Sequence, residues 1–183
     1  MSPDSTGVSF ALLRESPVGP VAVWATRNGL RRIGFVDDEF VQRHTHDVSE
    51  DPQVLHVLEQ LGEYFTQGRR RFNANLDLSG ATPFQRRIYE RLRKIPKGRV
   101  VSYGDLADEL GEPGAARAVG QAVGANPLPI VIPCHRVVRS DGRLGGFSGG
   151  LQRKVVLLGL EGVYVDGPRP SSRVRPEILQ LPL

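Results

Sequence analysis

Cysteine is almost absent from this chain: its 183 residues include one, Cys134. A single cysteine excludes a disulfide framework and leaves no second thiol nearby, which indicates a reducing, intracellular setting. The sequence also lacks an apolar segment behind a basic start and the roughly 20-residue apolar run of a membrane span. We therefore expect a soluble, unexported, cytoplasmic protein with no membrane partner.

Histidine is scarce as well, with four residues in the chain. Three of them, His44, His46 and His56, lie in a half of the sequence that has no cysteine. His-x-His with a distant third histidine is a weak zinc pattern. We predict no metal site and no cofactor.

The net positive charge of the chain is small, but the charged residues are unevenly distributed. The net charge is +4; residues 1–83 carry −3, residues 84–163 carry +6, and the end of the chain from residue 164 carries +1. The basic segment is also the segment that contains the cysteine. This asymmetry favours a polyanionic partner, nucleic acid first, although an ordinary solvated basic face is the alternative.

The first half of the chain has the pattern of a β-meander followed by a helix. Residues 8–13, 21–25 and 30–36 read as short strands, and the pair Asn28-Gly29 predicts a hairpin between the last two. Apolar residues recur at helical spacing over residues 54–65, and residues 72–78 alternate like a strand. Residues 1–7 are a frayed end in this interpretation, and a domain boundary falls at about residue 80.

The second half begins with a helix that Thr82 caps and Pro83 opens, with an apolar stripe through Ile88 and Leu92. Ser102 caps a second helix over residues 103–110, and a third runs over residues 115–124 after a Gly-containing turn. This outline fits a helix-turn-helix. An ordinary pair of antiparallel helices fits it equally well.

The helix over residues 115–124 has unusual content for a sequence-reading helix. Arg117 and Gln121 are its long polar side chains, and the remaining residues are small. Reading base edges requires several long polar groups, whereas small residues permit close approach to a backbone. If this helix binds DNA, we expect it to do so through shape and phosphates with little sequence preference.

The lone cysteine follows an apolar run enclosed by prolines. Residues 130–132 are β-branched and read as a buried strand that Pro133 ends. Cys134 is then followed by His135 and Arg136, neighbours that favour the nucleophilic thiolate. An inert buried cysteine is the alternative. A phosphatase-like Cys-x5-Arg motif is excluded, because Ser140 occupies the arginine position.

The stretch Pro133-Cys134-His135-Arg136-Val137 resembles the active-site motif of the O6-alkylguanine-DNA alkyltransferases. The resemblance extends in the family's order and spacing across residues 82–163, through the sequences Ser102-Tyr103-Gly104, Gly114-Ala115-Ala116-Arg117-Ala118-Val119-Gly120, Asn126-Pro127, Ile130-Val131-Ile132, Gly146-Phe147-Ser148-Gly149-Gly150, Lys154, Leu157-Leu158 and Glu161-Gly162.

The resemblance implies an α/β (α+β) protein. Residues 1–80 would form a ribonuclease H-like domain, a β-meander with a helix. Residues 81–163 would form the DNA-binding and catalytic domain, with a winged helix-turn-helix and an active-site cysteine loop. Residues 164–183 are a Pro/Arg-rich tail without a recognised counterpart, which we expect to be disordered or loosely packed.

The resemblance also implies an activity: irreversible, stoichiometric transfer of an alkyl group from O6-alkylguanine, and from O4-alkylthymine, in DNA to Cys134. His135 would act as a base through a water, and Glu161 would hold it. Asn126 would brace the turn that carries the cysteine, and Tyr103 would rotate the nucleotide's phosphate and offer its hydroxyl to the guanine ring. A non-catalytic helix-turn-helix protein and a cysteine hydrolase are the alternatives.

By the same resemblance, duplex DNA would bind through its minor groove to a monomer, associated with the nucleoid in a prokaryote, and Arg117 would fill the gap left by the flipped base. The DNA-binding residues would be Arg117, Tyr103, Ser102, Ala115, Ala116, Gln121 and Gly120. The base pocket would be formed by Pro129, Val137, Phe147, Ser148 and Gly149. Phe147 stands where many members have tyrosine, which affects the expected substrate range.

Overall fold

The computed structural model describes residues 7–46 and 49–174. The chain divides into two compact units, the first ending at Ser79 and the second beginning at Gly80. Residues 1–6 of the expected frayed start and residues 175–183 of the expected tail lie outside the described residues. Within those residues, no helix combines the length and the apolar character that crossing a membrane requires.

The first unit contains an antiparallel sheet in the order β1 (Val8–Leu13), β2 (Val21–Thr26), β3 (Gly29–Phe35). The predicted hairpin joins β2 to β3, with Thr26 paired to Gly29. Gly29 has φ +131°, and a Cβ there would collide with the backbone carbonyl of Asn75. Glycine is therefore required at this turn for both its conformation and its size.

Two helices follow the sheet, α1 (Asp38–Arg43) and the amphipathic α2 (Pro52–Thr66), which buries Val54, Val57 and Leu61. The strand predicted over residues 72–78 is wrong, because that segment forms a single bridge, between Leu76 and Leu30. The buried side chain of Gln60 instead bonds to the backbone of Asn73: its Oε1 accepts from the Asn73 amide at 2.6 Å, and its Nε2 donates to the Asn73 carbonyl at 3.0 Å.

The second unit is mainly helical: α3 (Pro83–Lys94), α4 (Tyr103–Glu109), α5 (Ala116–Gly124) and α6 (Leu151–Leu160). Thr82 and Ser102 each form a capping box at the start of their helices, as the sequence indicates. Helix α5 packs against both α3 and α4, which gives the predicted helix-turn-helix. Strand β4 (Val101–Ser102) pairs in parallel with β5 (Val137–Val138).

The expectation of a disordered or loosely packed tail is wrong for residues 164–174. Val174 is 2% exposed and belongs to an apolar cluster with Val138, Leu144 and Leu158. Val174 also bridges back to Val165, so the segment folds on itself as it packs. Burial of the valine, together with backbone bonds from the segment to Gly142 and Leu144, acts against the conformational entropy of the segment.

Candidate active site

A strained turn carries the cysteine, and the strand predicted over residues 130–132 is wrong. Ile130 has φ +75°, and the amide of Ile132 donates to the carbonyl of Leu128 at 2.8 Å. The predicted burial of these residues is present. A β-branched residue in the left-handed region is costly and persists where its surroundings over-determine it.

Asn126 holds this turn from inside. Its Nδ2 donates to the carbonyl of Ile132 at 2.8 Å, and its Oδ1 accepts from the amide of Leu128 at 3.0 Å. Both bonds are buried, where an amide that lost them would leave polar groups unpaired. The Asn126 side chain thus joins Leu128 and Ile132, at the two ends of the turn before Cys134.

Cys134 begins a short 3-10 helix, Cys134–Arg136, directly after the turn. The residue is 3% exposed, yet it forms part of the wall of a cavity of about 230 Å³. The other wall residues are Tyr103, Gly120, Val123, Gly124, Gly146, Phe147 and Ser148. This volume is below the roughly 300–1,000 Å³ of sites for drug-sized ligands, which suits a single base.

Glu161 and Arg136 form a buried charged cluster at the Nε2 side of the His135 ring. The imidazole Nε2 is 3.0 Å from Glu161 Oε1, and Arg136 donates to the same carboxylate at 2.7 and 2.8 Å. The guanidinium also donates to the carbonyl of Ile95 at 2.5 Å. Across the part of the chain that the structure describes, the other ring nitrogen of His135, Nδ1, has no hydrogen-bond partner.

The protonation states follow from burial and pairing. Burial raises the pKa of Glu161, but His135 and Arg136 outweigh burial and hold it below the usual value. Burial lowers the pKa of His135, which Glu161 opposes. The resting arrangement is therefore a carboxylate facing a neutral imidazole whose Nε2 carries the proton, so that the lone pair on Nδ1 can accept one.

The expectation that Arg136 favours the thiolate is wrong, since its guanidinium faces Glu161 and Ile95. Burial raises the pKa of the Cys134 thiol, while the Asn126 side chain and the charge of Lys154 lower it. Lys154 is fully buried and donates to the carbonyls of Val137 and Leu144 at 2.6 and 2.5 Å. Burial lowers the pKa of Lys154 to about 8.

Lys154 is part of the family resemblance, but the sequence predicted no role for it. A signal for it was present: Lys154, Leu157, Leu158 and Glu161 recur at helical spacing, and all four are buried. Charged residues on the apolar stripe of a helix are rarely buried without a partner. The spacing therefore predicts that Lys154 and Glu161 are both buried and that each has a polar partner.

The predicted DNA-binding residues fall into two groups. Arg117 and Gln121 are exposed on α5, one turn apart, with Ala115, Ala116 and Gly120 partly exposed beside them. Ser102 is placed differently from the prediction: it is buried, and its hydroxyl accepts from the amide of Asp105 to cap α4. Its side chain is a structural cap in this geometry.

The predicted pocket residues are also divided. Phe147 and Ser148 line the cavity, whereas Pro129, Val137 and Gly149 are not among its wall residues. Pro129 and Val137 are buried, and the carbonyl of Val137 accepts from Lys154. The carbonyl of Gly149 accepts from Arg153 at 3.1 Å.

The histidines considered for zinc are not gathered into a site. His44 stacks on Phe40, with ring centroids 4.1 Å apart. Among residues 7–46 and 49–174, no group of three or more His, Cys, Asp or Glu side chains is arranged to hold a metal ion.

Comparison with known proteins finds relatives of this chain. Two family models match the chain: 6-O-methylguanine DNA methyltransferase, ribonuclease-like domain, over residues 10–78, and the DNA binding domain of the same description over residues 83–163. A methylated-DNA–protein-cysteine methyltransferase of Mycobacterium tuberculosis is 40% identical over 147 residues, which are 80% of this chain and 88% of the relative.

Solved structures give the same relation. The chain is similar to Mycobacterium tuberculosis OGT in complex with DNA, with a TM-score of 0.72 and 39% identity, covering 84% of this chain and 93% of that one. It is also similar to an O6-methylguanine-DNA methyltransferase of Pyrococcus kodakaraensis, with a TM-score of 0.61 and 32% identity, covering 85% of this chain and 99% of that one.

Proposed function

The chain belongs to the 6-O-methylguanine DNA methyltransferase family, and from this premise we propose that it repairs DNA by moving an alkyl group from O6 of guanine to the sulfur of Cys134. The observation that carries the proposal is that Cys134 and Tyr103 line one base-sized cavity, with the His135–Glu161 pair buried beside it. In the transfer, a sulfur–carbon bond forms and the carbon–O6 bond breaks.

The nucleophile must be generated during the reaction, because burial keeps the resting thiol protonated. We assign His135 as the base: the Nδ1 lone pair takes the thiol proton through a bridging water, and the Glu161 carboxylate stabilises the imidazolium that forms. Lys154 stabilises the sulfur anion, since its ammonium already lowers the pKa of the thiol. Asn126 keeps the cysteine at the cavity wall.

The departing guanine needs a proton at its ring nitrogen as the O6 carbonyl forms. Tyr103 is positioned to supply it, because its ring is part of the same cavity wall. Burial raises the pKa of Tyr103, and a negative charge formed on the Cys134 sulfur would act in the same direction, so the hydroxyl stays protonated at neutral pH. A protonated donor avoids expulsion of a guanine anion.

Access to the target carbon requires the nucleotide to leave the duplex, which costs a few kcal/mol. Helix α5 supports this step, since Gly120 and Gly124 line the cavity while Arg117 and Gln121 are exposed on the same helix. We assign α5 to the minor groove, with little sequence preference, and Arg117 to the gap in the base stack. The protein would act as a monomer, at the nucleoid in a prokaryotic cell.

The product is a thioether, which nothing in the described site can hydrolyse, so each molecule would act once. O4-alkylthymine would be a second substrate of the same cavity. Phe147 contributes an apolar ring to the wall, so we expect it to favour lesions that pack against a ring.

Mass spectrometry of the protein after incubation with a duplex that contains one O6-methylguanine tests the proposal. We expect one methyl group per molecule, located on the peptide that bears Cys134, and none after incubation with the unmodified duplex. The Cys134→Ala variant should bind the duplex and gain no mass. Repair of many duplexes by one protein molecule, or an unmodified Cys134 after repair, would contradict it.

A further inference from the structure

Residues 164–174, here the C-terminal segment, lie beyond residue 163, where the matched DNA-binding domain ends. The segment pairs with the loop that follows β5. The amide of Leu144 donates to the carbonyl of Ser172 at 2.9 Å, and the amide of Val174 donates to the carbonyl of Gly142 at 3.0 Å. An antiparallel bridge between Arg143 and Arg173 joins these two bonds into a short ladder.

Apolar burial reinforces the ladder. Val174 is 2% exposed and Leu144 is fully buried, and both belong to the cluster that contains Val138 of β5 and Leu158 of α6. The segment is thus attached to the loop by its backbone and to the core by its valine. Releasing it would expose apolar surface and free two backbone amides.

The loop that the segment holds continues directly into the active site. The carbonyls of Leu144 and Gly146 accept from the ammonium of Lys154, at 2.5 and 3.2 Å. Gly146, Phe147 and Ser148 then contribute to the wall of the same cavity that Cys134 lines. One residue, Gly145, separates Leu144, which bonds to Ser172, from Gly146, the first wall residue of this loop.

We propose that the C-terminal segment is a positioning element for alkyl transfer, which fixes the cavity wall and the carbonyls that orient Lys154. The inference rests on the proposed function. Its physical basis is that small displacements of a reacting group or its support cost rate steeply. A segment outside the matched domain would therefore set the reactivity of the cysteine.

The test compares two full-length variants, Val174→Asp and Ser171→Asp. Both place the same charge on the C-terminal segment, but Val174 is buried and Ser171 is exposed. Val174→Pro gives a second disruption, since it keeps an apolar side chain and removes the amide that bonds to Gly142. Hydrogen exchange at the Leu144 amide reports whether the segment has been released.

Alkyl transfer from free O6-benzylguanine is the main readout, because it needs the cavity and no DNA. We expect Val174→Asp and Val174→Pro to slow it by about tenfold or more, with Ser171→Asp unchanged. Affinity for undamaged duplex should be the same in all three, since the two backbone bonds of the segment join it to the loop after β5. The pH midpoint for reaction of Cys134 with iodoacetamide should rise in the two Val174 variants, as Lys154 loses its orientation.

Unaltered transfer and an unaltered pH midpoint in a variant whose Leu144 amide exchanges rapidly would overturn the inference. Absence of transfer in the unaltered chain would instead overturn the proposed function. The two failures are therefore distinguishable in one experiment.

Discussion

Asp77 in the first unit and Glu161 in the second are both buried carboxylates that contact an arginine. Asp77 accepts from the hydroxyl of Thr26 at 2.7 Å, from Arg31 at 3.3 Å and from the amide of Ser79 at 3.1 Å. Hydrogen bonds from Thr26 and Ser79 lower the pKa of Asp77 to about 2. By burial, pairing and pKa direction, the two carboxylates look alike.

They differ in what their partners do next. The hydrogen bonds to Asp77 from Thr26 of β2 and Arg31 of β3 join these strands to the segment after Leu76, which is a structural role. Glu161 orients a histidine whose Nδ1 has no hydrogen-bond partner among the described residues, beside a cysteine that lines a cavity. A perturbed carboxylate alone therefore does not distinguish a structural site from a functional one, whereas one whose partner keeps an unused proton acceptor is a candidate for acid–base chemistry.

The largest expected effect comes from removing the charge of each carboxylate in turn. Glu161→Gln should slow alkyl transfer by about 10²- to 10⁴-fold, because the amide neither stabilises an imidazolium nor fixes the tautomer of His135. Asp77→Asn should leave the transfer rate unchanged and lower the free energy of unfolding by about 1–3 kcal/mol. Single-turnover rates with O6-methylguanine duplex, together with urea titrations, measure both.

A matched loss of transfer in the two variants would remove the distinction between a structural and a catalytic carboxylate. The single tryptophan, Trp24, lies on β2 of the first unit. Its fluorescence reports whether Asp77→Asn has loosened that unit specifically.

Lys154 allows a second comparison, because its ammonium is buried in the second unit and its charge lowers the pKa of the Cys134 thiol. Lys154→Met should slow transfer by on the order of a hundredfold at neutral pH, as the anion loses its stabilising charge. Because the pKa of Lys154 is lowered to about 8, the advantage of the unaltered chain should be present below about pH 8 and shrink above it. Rates between pH 6 and pH 9 check this.

Gln152→Met provides the control for Lys154→Met, because Gln152 is exposed on the same helix. It should leave the pH profile unaltered. A parallel profile for Lys154→Met and the unaltered chain would contradict the role of the ammonium.

A smaller effect is expected at α5, the helix that we assign to DNA. Arg117→Ala should slow repair in duplex by about tenfold, because base flipping would lose the side chain that we assign to the gap in the stack. Transfer from free O6-benzylguanine should not change. Arg93→Ala removes an equal charge from the exposed face of α3 and should affect neither substrate; equal slowing of both substrates by Arg117→Ala would remove the assignment.

The features that sequence could predict are those set by local chemistry. Asn28-Gly29 fixes its hairpin because its conformation needs glycine, and Thr82 and Ser102 fix helix starts through their own hydroxyls. The cysteine motif was recognisable because its residues are contiguous. None of these depends on a partner far along the chain.

The features that sequence missed depend on particular side-chain contacts. Ile130 leaves the β-region where Asn126, four residues earlier, holds the turn, and Asn73 is not paired as a strand because Gln60 bonds to its backbone groups. Val174 is ordered because it packs in an apolar cluster with Val138 of β5. In each case a specific contact outweighed a local preference, which composition and periodicity cannot reveal.

The smallest expected effect distinguishes the two carboxylates by pH rather than by rate. Because folding lowers the pKa of Asp77 from 3.8 to about 2, its contribution to stability is fully present well above pH 4 and is lost as the pH falls towards 2. The loss should amount to at most about 2 kcal/mol. In urea unfolding followed by Trp24 fluorescence, Asp77→Asn should remove this acid dependence of the free energy of unfolding. Glu161→Gln should leave the dependence unaltered. If Glu161→Gln flattened the Trp24 profile as much as Asp77→Asn does, the two carboxylates would be acting on one cooperative structure, and the contrast between the units would not hold.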